Sequence, residues 1–393
     1  MASRPLILIN AALLGPEGVF ASSLRIERGR ITAIDRPPQK NDLVFDLGGS
    51  LILPGLINSH DHLELNHFGK VKYREQHTNA AEWIEDTWPR LETDPYLVQC
   101  LSYPLADRLV IGGIKNLLAG VTTVCHHNPL YRQLKWGFPV RVVRRYGWTH
   151  SFYISGEEVL NSCQRTPAGW PWIIHLAEGT DRQAALELAR LDTPGALKSN
   201  TVLVHGVGLN EADRDRLVEV GAGLVWCPAS NLFLLGQTAE VRSLAQAGLV
   251  ALGSDSRLTG ERDLLDELKV AAETGQVSPG RLFRMVTTDA ARLLRLNGAG
   301  RLAVGEPADL VVLPPPVGDP FESLVGLRRD AVRLVMVGGQ PRLGDLALRR
   351  IFKGLKVRQV RVKVDGAEKV LAGWISDRLR KAHIREEGLE ILL

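Results

Sequence analysis

Short runs of apolar residues follow two different rhythms along this chain, and the change of rhythm divides the sequence. Over the first fifty residues the runs Leu6–Ile9, Ser23–Ile26, Arg30–Ile34 and Leu43–Asp46 are separated by turn-forming residues at Gly15–Gly18, Arg28–Gly29 and Pro37–Pro38. No helical period accompanies them, which predicts a small antiparallel β unit. From Leu51 short apolar runs alternate with helical segments, as in βα units around a parallel sheet. The predicted strands are Leu51–Asn58, Val121–Cys125, Thr149–Ile154, Trp172–His175, Val202–His205, Gly223–Trp226 and Val250–Gly253. Some helix ends are also marked. Asn210 is placed to cap a helix over Glu211–Val220 that Gly221 stops, and Ser278 followed by Pro279 opens another. After Gly300 strands return at Leu310–Leu313, Val332–Val337 and Val357–Val364.

This pattern predicts an α/β architecture: a (β/α)8-like TIM barrel plus a small composite β-sandwich domain built from both chain ends. Seven barrel strands are clear, so one is degenerate or missing. The expected division is 1–52 for the first part of the sandwich, 53–300 for the barrel, and 301–393 for the second part and a tail. The length agrees, since such barrels take about 250 residues and the chain has 393. The segment Asn66–Tyr103 is too long for an ordinary βα loop. With Tyr73, Trp83 and Trp88 it reads either as a lid over a pocket or as a packed peripheral helix through Ala80–Trp88.

Composition changes this picture little. Hydrophobic residues make up 45% of the chain, enough for a sizeable core, and the formal net charge is +4. Basic residues gather from Arg349 to Lys363, interleaved with valines, and read as the solvated face of a strand. No nucleic-acid-binding module accompanies them. The four cysteines are scattered without CxxC spacing, as expected of reduced thiols in a cytoplasmic protein. The apolar run at Leu6–Ile9 is too short for a secretion signal, and no later run is long enough to span a bilayer. A small-molecule substrate is therefore expected, with no nucleic acid and no membrane. A homo-oligomer is compatible with the sequence.

The candidate chemistry gathers where predicted strands end. His60 and His62 follow Leu51–Asn58, and residues two apart in extended chain face the same way. His175 and Glu178 close the run from Trp172, His205 ends Val202–Val204, and Asp255 follows Val250–Gly253. Each has an ordinary reading: most HxH triplets are plain histidines, and a lone Asp after a strand is commonly a helix cap. Together they fall on one rim of a barrel, where its chemistry is placed. Three imidazoles and a carboxylate suit Zn2+ or Fe2+ with one position open to water. His126 and His127, ending the second strand, are candidates for substrate contact. So are Trp226, Asn231, Trp88 and Arg257; for Arg257 a surface role weighs against anion binding.

The motifs Pro54-Gly-Leu-Ile-Asn-Ser-His-Asp-His62, His175-Leu-Ala-Glu178, Val204-His-Gly206, Cys227-Pro-Ala-Ser-Asn231 and Leu252-Gly-Ser-Asp255 occur in this order, followed by Gly300-Arg-Leu-Ala-Val-Gly-Glu-Pro-Ala-Asp-Leu310. Over roughly residues 5–340 the chain resembles the amidohydrolase superfamily. It is most similar to the branch of cytosine deaminase, guanine deaminase, S-adenosylhomocysteine deaminase and triazine chlorohydrolases. The resemblance implies that His60, His62, His175 and Asp255 ligate a metal and that Asp255 also assists catalysis. It further implies that His205 orients the attacking water or polarises the substrate, that Glu178 shuttles protons, and that Asp309 is structural. Two-metal members bridge their ions with a carboxylated lysine on the fourth strand. Between His127 and Trp172 the only lysine is Lys135, outside any predicted strand, so one ion per chain is implied, Zn2+ ahead of Fe2+.

The implied reaction is hydrolysis of a non-peptide carbon–nitrogen bond by metal-activated water, foremost the deamination of an aminated heterocycle or amidine. Cyclic amide opening or dechlorination on the same scaffold is the enzymatic alternative. A metal-stabilised binding protein without turnover is the alternative from another class. It would have no use for Glu178 and His205 as they stand. Three departures from the family pattern bear on strand count and substrate: the short Ile154–Trp172 interval, the absence of a histidine before Pro228, and Gly179 after Glu178.

Overall fold

A computed structural model describes residues 4–392; Met1 to Ser3 and Leu393, the outer edges of the two end segments, lie outside the described residues. The N-terminal strands are β1 (Leu6–Gly15), β2 (Gly18–Ala21), β3 (Leu24–Glu27), β4 (Arg30–Ile34) and β5 (Leu43–Pro54). Parallel strands follow: β6 (Leu56–Asp61), β7 (Val121–His126), β8 (Arg141–Val142), β9 (Gly147–Trp148), β10 (Trp172–Leu176), β11 (Thr201–His205), β12 (Gly223–Trp226) and β13 (Val250–Leu252). The C-terminal strands are β14 (Leu310–Leu313), β15 (Leu334–Val337), β16 (Gln340–Asp345), β17 (Gln359–Val364), β18 (Ala367–Ala372) and β19 (Leu389–Ile391).

Strands from both chain ends share one sheet, in the order β19-β17-β18-β16-β15-β14-β5-β1-β3-β4, with β2 on β1. They form a single hydrogen-bonded sheet of eleven strands, rather than the two separate sheets expected of a sandwich. The junction between the ends is the antiparallel pair β5–β14, running from Leu51 opposite Leu313 to Pro54 opposite Leu310. The predicted strand Leu51–Asn58 is therefore two strands. Its first half completes this sheet and its second half opens the parallel set. The chain changes partner at Gly55, where a Cβ would lie 2.1 Å from Thr122 Oγ1. Any side chain there would push the strands apart.

The parallel strands form a five-stranded sheet, β13-β12-β11-β10-β9, and a three-stranded sheet, β6-β7-β8. Their order around the core follows chain order, as in a βα barrel. The end of the last strand returns to the first: Asp255 N–H donates to the His60 carbonyl at 3.1 Å. Eight parallel strands stand where seven were clear in the sequence. The third and fourth, β8 and β9, have two residues each, too few to produce an apolar period. The predicted strand Thr149–Ile154 is corrected: Gly147–Trp148 is the strand, and Phe152–Ser155 is a helical turn capped by the Ser151 side chain. Only Val143 to Tyr146 link β8 to β9, with no helix between them.

Elsewhere local chemistry produces the expected elements. Asn210 and Asp213 close a capping box on Glu211–Val220, and Gly221 ends that helix in the left-handed conformation at φ 75°. Ser278 caps Pro279–Met285. In β17 Val362 and Val364 point into the core while Arg361 is exposed and Lys363 half-buried, which accounts for much of the basic run. The Asn66–Tyr103 segment holds helices at Ala80–Thr87 and Pro95–Ser102. It packs Phe68, Val71, Leu97 and Cys100 against Leu258 and also walls the cavity described below. Both readings of that segment are present. The four cysteines are buried and unpaired. Among the described residues no helix is long and apolar enough to cross a membrane.

Candidate active site

The functional side chains hang from the C-terminal ends of the parallel strands. His60 lies at the end of β6, one residue before its last, with His62 just beyond it; His175 lies in β10, His205 ends β11, and Asp255 follows β13. Nitrogen atoms of His60, His62, His127 and His175 lie within 4.8 Å of one another, as do ligand atoms of His60, His205 and Asp255. Asp255 Oδ1 lies 3.5 Å from His60 Nε2 and 3.7 Å from His62 Nε2. Ala177, His205 and Asp255 take positive φ values of 54°, 77° and 50°. Such backbone strain in non-glycine residues gathers where a side chain must be aimed against local preference.

Proton positions follow from the partners. The carbonyl of Thr149 can only accept, so His127 Nε2, 2.8 Å away, carries the hydrogen. His127 Nδ1 then accepts from His60 Nδ1 at 3.1 Å. That leaves a bare lone pair on His60 Nε2, which is buried with no hydrogen-bond partner; His175 Nε2 is in the same condition. Buried unpartnered ring nitrogens facing a carboxylate are what a divalent cation requires, and a histidine held by an outer partner is the usual arrangement at metal sites. Burial holds the His60, His62 and His175 imidazoles below their ordinary range, hence neutral and able to donate lone pairs. Burial alone would raise Asp255. The close approach of the surrounding imidazoles, His60 first, instead keeps it well below the usual carboxylate range. Ser230 Oγ and Thr259 Oγ1 hold its outer oxygen at 2.9 and 3.0 Å. The donor set fits a divalent cation.

Glu178 stands beside this cluster, with Oε1 3.5 Å from His205 Nε2. Burial pushes its carboxyl up to about 7. Its backbone is clamped, since its carbonyl accepts from Ala80 N–H at 2.9 Å. Asn231 Oδ1 lies 2.8 Å from His205 Nδ1, which commits that nitrogen as donor and turns Nε2 toward Glu178. These groups floor a cavity of about 310 Å3, walled by the Asn66–Tyr103 segment, Ile154, Leu234 and Leu258. A larger groove of about 990 Å3, near Arg141 and Arg342, shares none of these residues.

Of the residues read as substrate contacts, Trp88 lines the cavity and the others do not. His126 is buried beside Glu64, 3.7 Å from its carboxylate. His127 sits behind His60. Trp226 is fully buried and donates to Thr238 Oγ1. Asn231 serves His205. Arg257 is spent on a bidentate pair with Glu386, at 3.0 and 2.6 Å, so the anion-binding reading is corrected. Its partner comes from the far C-terminus, which the local sequence could not announce. Asp309 accepts from Arg141 at 2.6 Å, well away from the site.

Sequence reasoning missed His150 and Asn128, which line the cavity, and Ser230 and Thr259, which hold Asp255. Ser230 lies inside the Cys227–Asn231 motif, a usable signal. His150 was hidden by the misplaced fourth strand. Lys115, fully buried, donates to Asn66, Ser254 and the Asp255 carbonyl, and nothing in its helix singles it out.

The loop that presents Ser230 is itself held by a buried acid: Glu267 Oε1 accepts from Ala229 N–H at 2.9 Å. Burial pushes Glu267 up to about 8 from 4.5. Between those values the folded chain retains a proton that the unfolded chain has lost, so this group's contribution to stability falls as pH rises. Glu267→Gln should flatten the decline of melting temperature between about pH 5 and pH 8. Parallel pH curves for the two proteins would remove Glu267 as the cause.

A cluster of imidazoles and a carboxylate at the ends of parallel strands suits a metal-dependent hydrolase. The amidohydrolase family profile matches residues 150–342. A 5-methylthioadenosine/S-adenosylhomocysteine deaminase from Haloarcula marismortui is 27% identical over 344 residues, 73% of this chain and 78% of that one. An adenosine deaminase from Xanthomonas campestris with bound zinc superposes with a TM-score of 0.68 at 18% identity, covering 96% of this chain and 99% of that one. An atrazine chlorohydrolase from Arthrobacter aurescens complexed with zinc gives 0.70 at 19%, covering 89% and 99%. At such identity the two structures speak for the barrel fold alone. The chain is similar to the amidohydrolase family over residues 150–342 and is a metal-dependent hydrolase of carbon–nitrogen bonds other than peptide bonds.

Proposed function

We propose that this hydrolase deaminates an aminated heterocycle, with one divalent ion, Zn2+ ahead of Fe2+, held by His60, His62, His175 and Asp255. The observation that carries the reading is Glu178, a buried carboxyl with a pKa of about 7, set beside that donor cluster on the cavity floor. The named relative, a deaminase of adenosine derivatives, supports it.

The ion would supply Lewis acidity, which makes water a nucleophile at neutral pH. His205, its Nδ1 committed to Asn231, offers Nε2 to orient the attacking water. Asp255 stays ionised and accepts a hydrogen from the same water. Glu178 takes a proton from the water and passes it to a ring nitrogen as the carbon–oxygen bond forms. It then takes the second proton from the hydroxyl now bound to carbon and delivers it to the amine, which leaves as ammonia when the carbon–nitrogen bond breaks and the carbonyl forms. The net change is water consumed, ammonia released, and a carbonyl where the amine stood. The apolar walls exclude bulk water and strengthen these interactions.

The two β-rich ends, 1–52 and 301–393, are taken as one folding unit beside the barrel at 53–300, supported by the β5–β14 pairing. A cytoplasmic setting accompanies the proposal, supported by four unpaired thiols. The test is a screen of amino-purines, amino-pyrimidines and lactams on metal-loaded protein. Ammonia release from amino-heterocycles is expected. Lactam opening without ammonia from any amine would refute deamination.

A further inference from the structure

The proposed deamination leaves open what the aminated ring carries, and the cavity wall bears on that directly. Above the polar floor the wall is Leu65, Phe68, Trp83, Trp88, Leu91 and Leu101, with no lysine or arginine among the lining residues. The cations of the covering segment are all engaged elsewhere. Lys70 pairs with Glu261 at 2.6 Å, Lys72 donates to the Glu75 and Phe233 carbonyls, Arg74 pairs with Asp86, and Arg90 lies over the Tyr73 ring. Arg257 is neutralised by Glu386. The same segment carries Glu75, Glu82, Glu85, Asp86, Glu92 and Asp94 against those four cations, so its surplus charge is negative.

A carboxylate at the end of an arm lying along this wall, away from the donor cluster on the floor, would shed water and meet no cationic side chain, which is unfavourable. An alkyl or thioether arm would instead cover apolar surface that now faces water at the mouth, where Trp88 is 53% exposed and Ile154 37%. Thr87 also lines the cavity, with its Oγ1 buried without a partner.

We propose that the substrate is an uncharged aminated heterocycle carrying an apolar arm, and that the site rejects arms ending in a carboxylate, such as the amino-acid end of S-adenosylhomocysteine. This rests on the deaminase reading for the ring and on the wall for the arm.

The test uses the metal-loaded full chain and two adenines, one with a hexyl arm at the ring nitrogen and one with the same arm ended in a carboxylate. Calorimetric titration reads affinity, and ammonia release reads turnover. The neutral compound should bind at least about thirtyfold more tightly, given the cost of burying an unpaired charge. Leu91→Arg, which places a cation on the wall, should shrink that ratio severalfold. Equal affinities, a preference for the carboxylate, no binding of either compound, or an unchanged ratio in Leu91→Arg would overturn the proposal. Preference for the neutral arm without ammonia from either compound would uphold the arm assignment and refute deamination.

Discussion

Glu178→Gln is expected to keep the fold and the bound ion while lowering turnover by about 10²–10⁴-fold, the usual effect of removing a general acid/base. Gln has nearly the same shape and can make most of the same hydrogen bonds, but it cannot exchange a proton. The competing role, capping the next helix, belongs to another residue: Asp181 accepts from Ala184 N–H at the start of Arg182–Asp192. The clamp on this loop runs through the Glu178 backbone carbonyl, which the substitution leaves alone. A carboxyl with a pKa near 7 is populated in both forms at neutral pH, as a group that first takes and then gives a proton must be. Near-normal turnover in metal-loaded Glu178→Gln protein would mean that the proton passes by another group.

His60→Ala should remove most of the metal. Elemental analysis of the wild-type protein should find about one divalent ion per chain, as a single cluster of three imidazoles and a carboxylate implies. The substitution deletes a bare buried nitrogen from the centre of the donor set. His127→Leu should act more gently. It removes the acceptor that holds the His60 tautomer without removing a ligand, and such losses typically weaken metal affinity by about 10–100-fold. The pair of variants thus distinguishes a ligand from the residue that orients it. Two ions per chain, or active protein without metal, would refute the mononuclear site. Equal depletion in both variants would place His127 among the ligands.

Much of the site is legible in the sequence because strand ends are. The period of two sets His60 and His62 on one face, and a βα rhythm brings β6, β10, β11 and β13 to a common rim, so residues at their ends converge without any knowledge of packing. The β-rich ends and the capped helices are readable for the same reason, since each depends on neighbours in sequence. Strands of two residues are not: β8 and β9 are too short for a period to show, and the misplaced strand at Thr149–Ile154 follows from that.

What only the tertiary structure decided is where side chains in loops find their partners. Arg257 is paired with Glu386, 129 residues away; Asn231 supports His205; His126 turns toward Glu64; and Lys115 reaches the Asp255 carbonyl. Each orientation is set by a group distant in sequence, and a buried charge or donor must meet such a partner or bear the full cost of leaving water. The chain alone therefore determines which chemistry gathers at the rim, and packing decides which of its polar residues are left free to face a substrate.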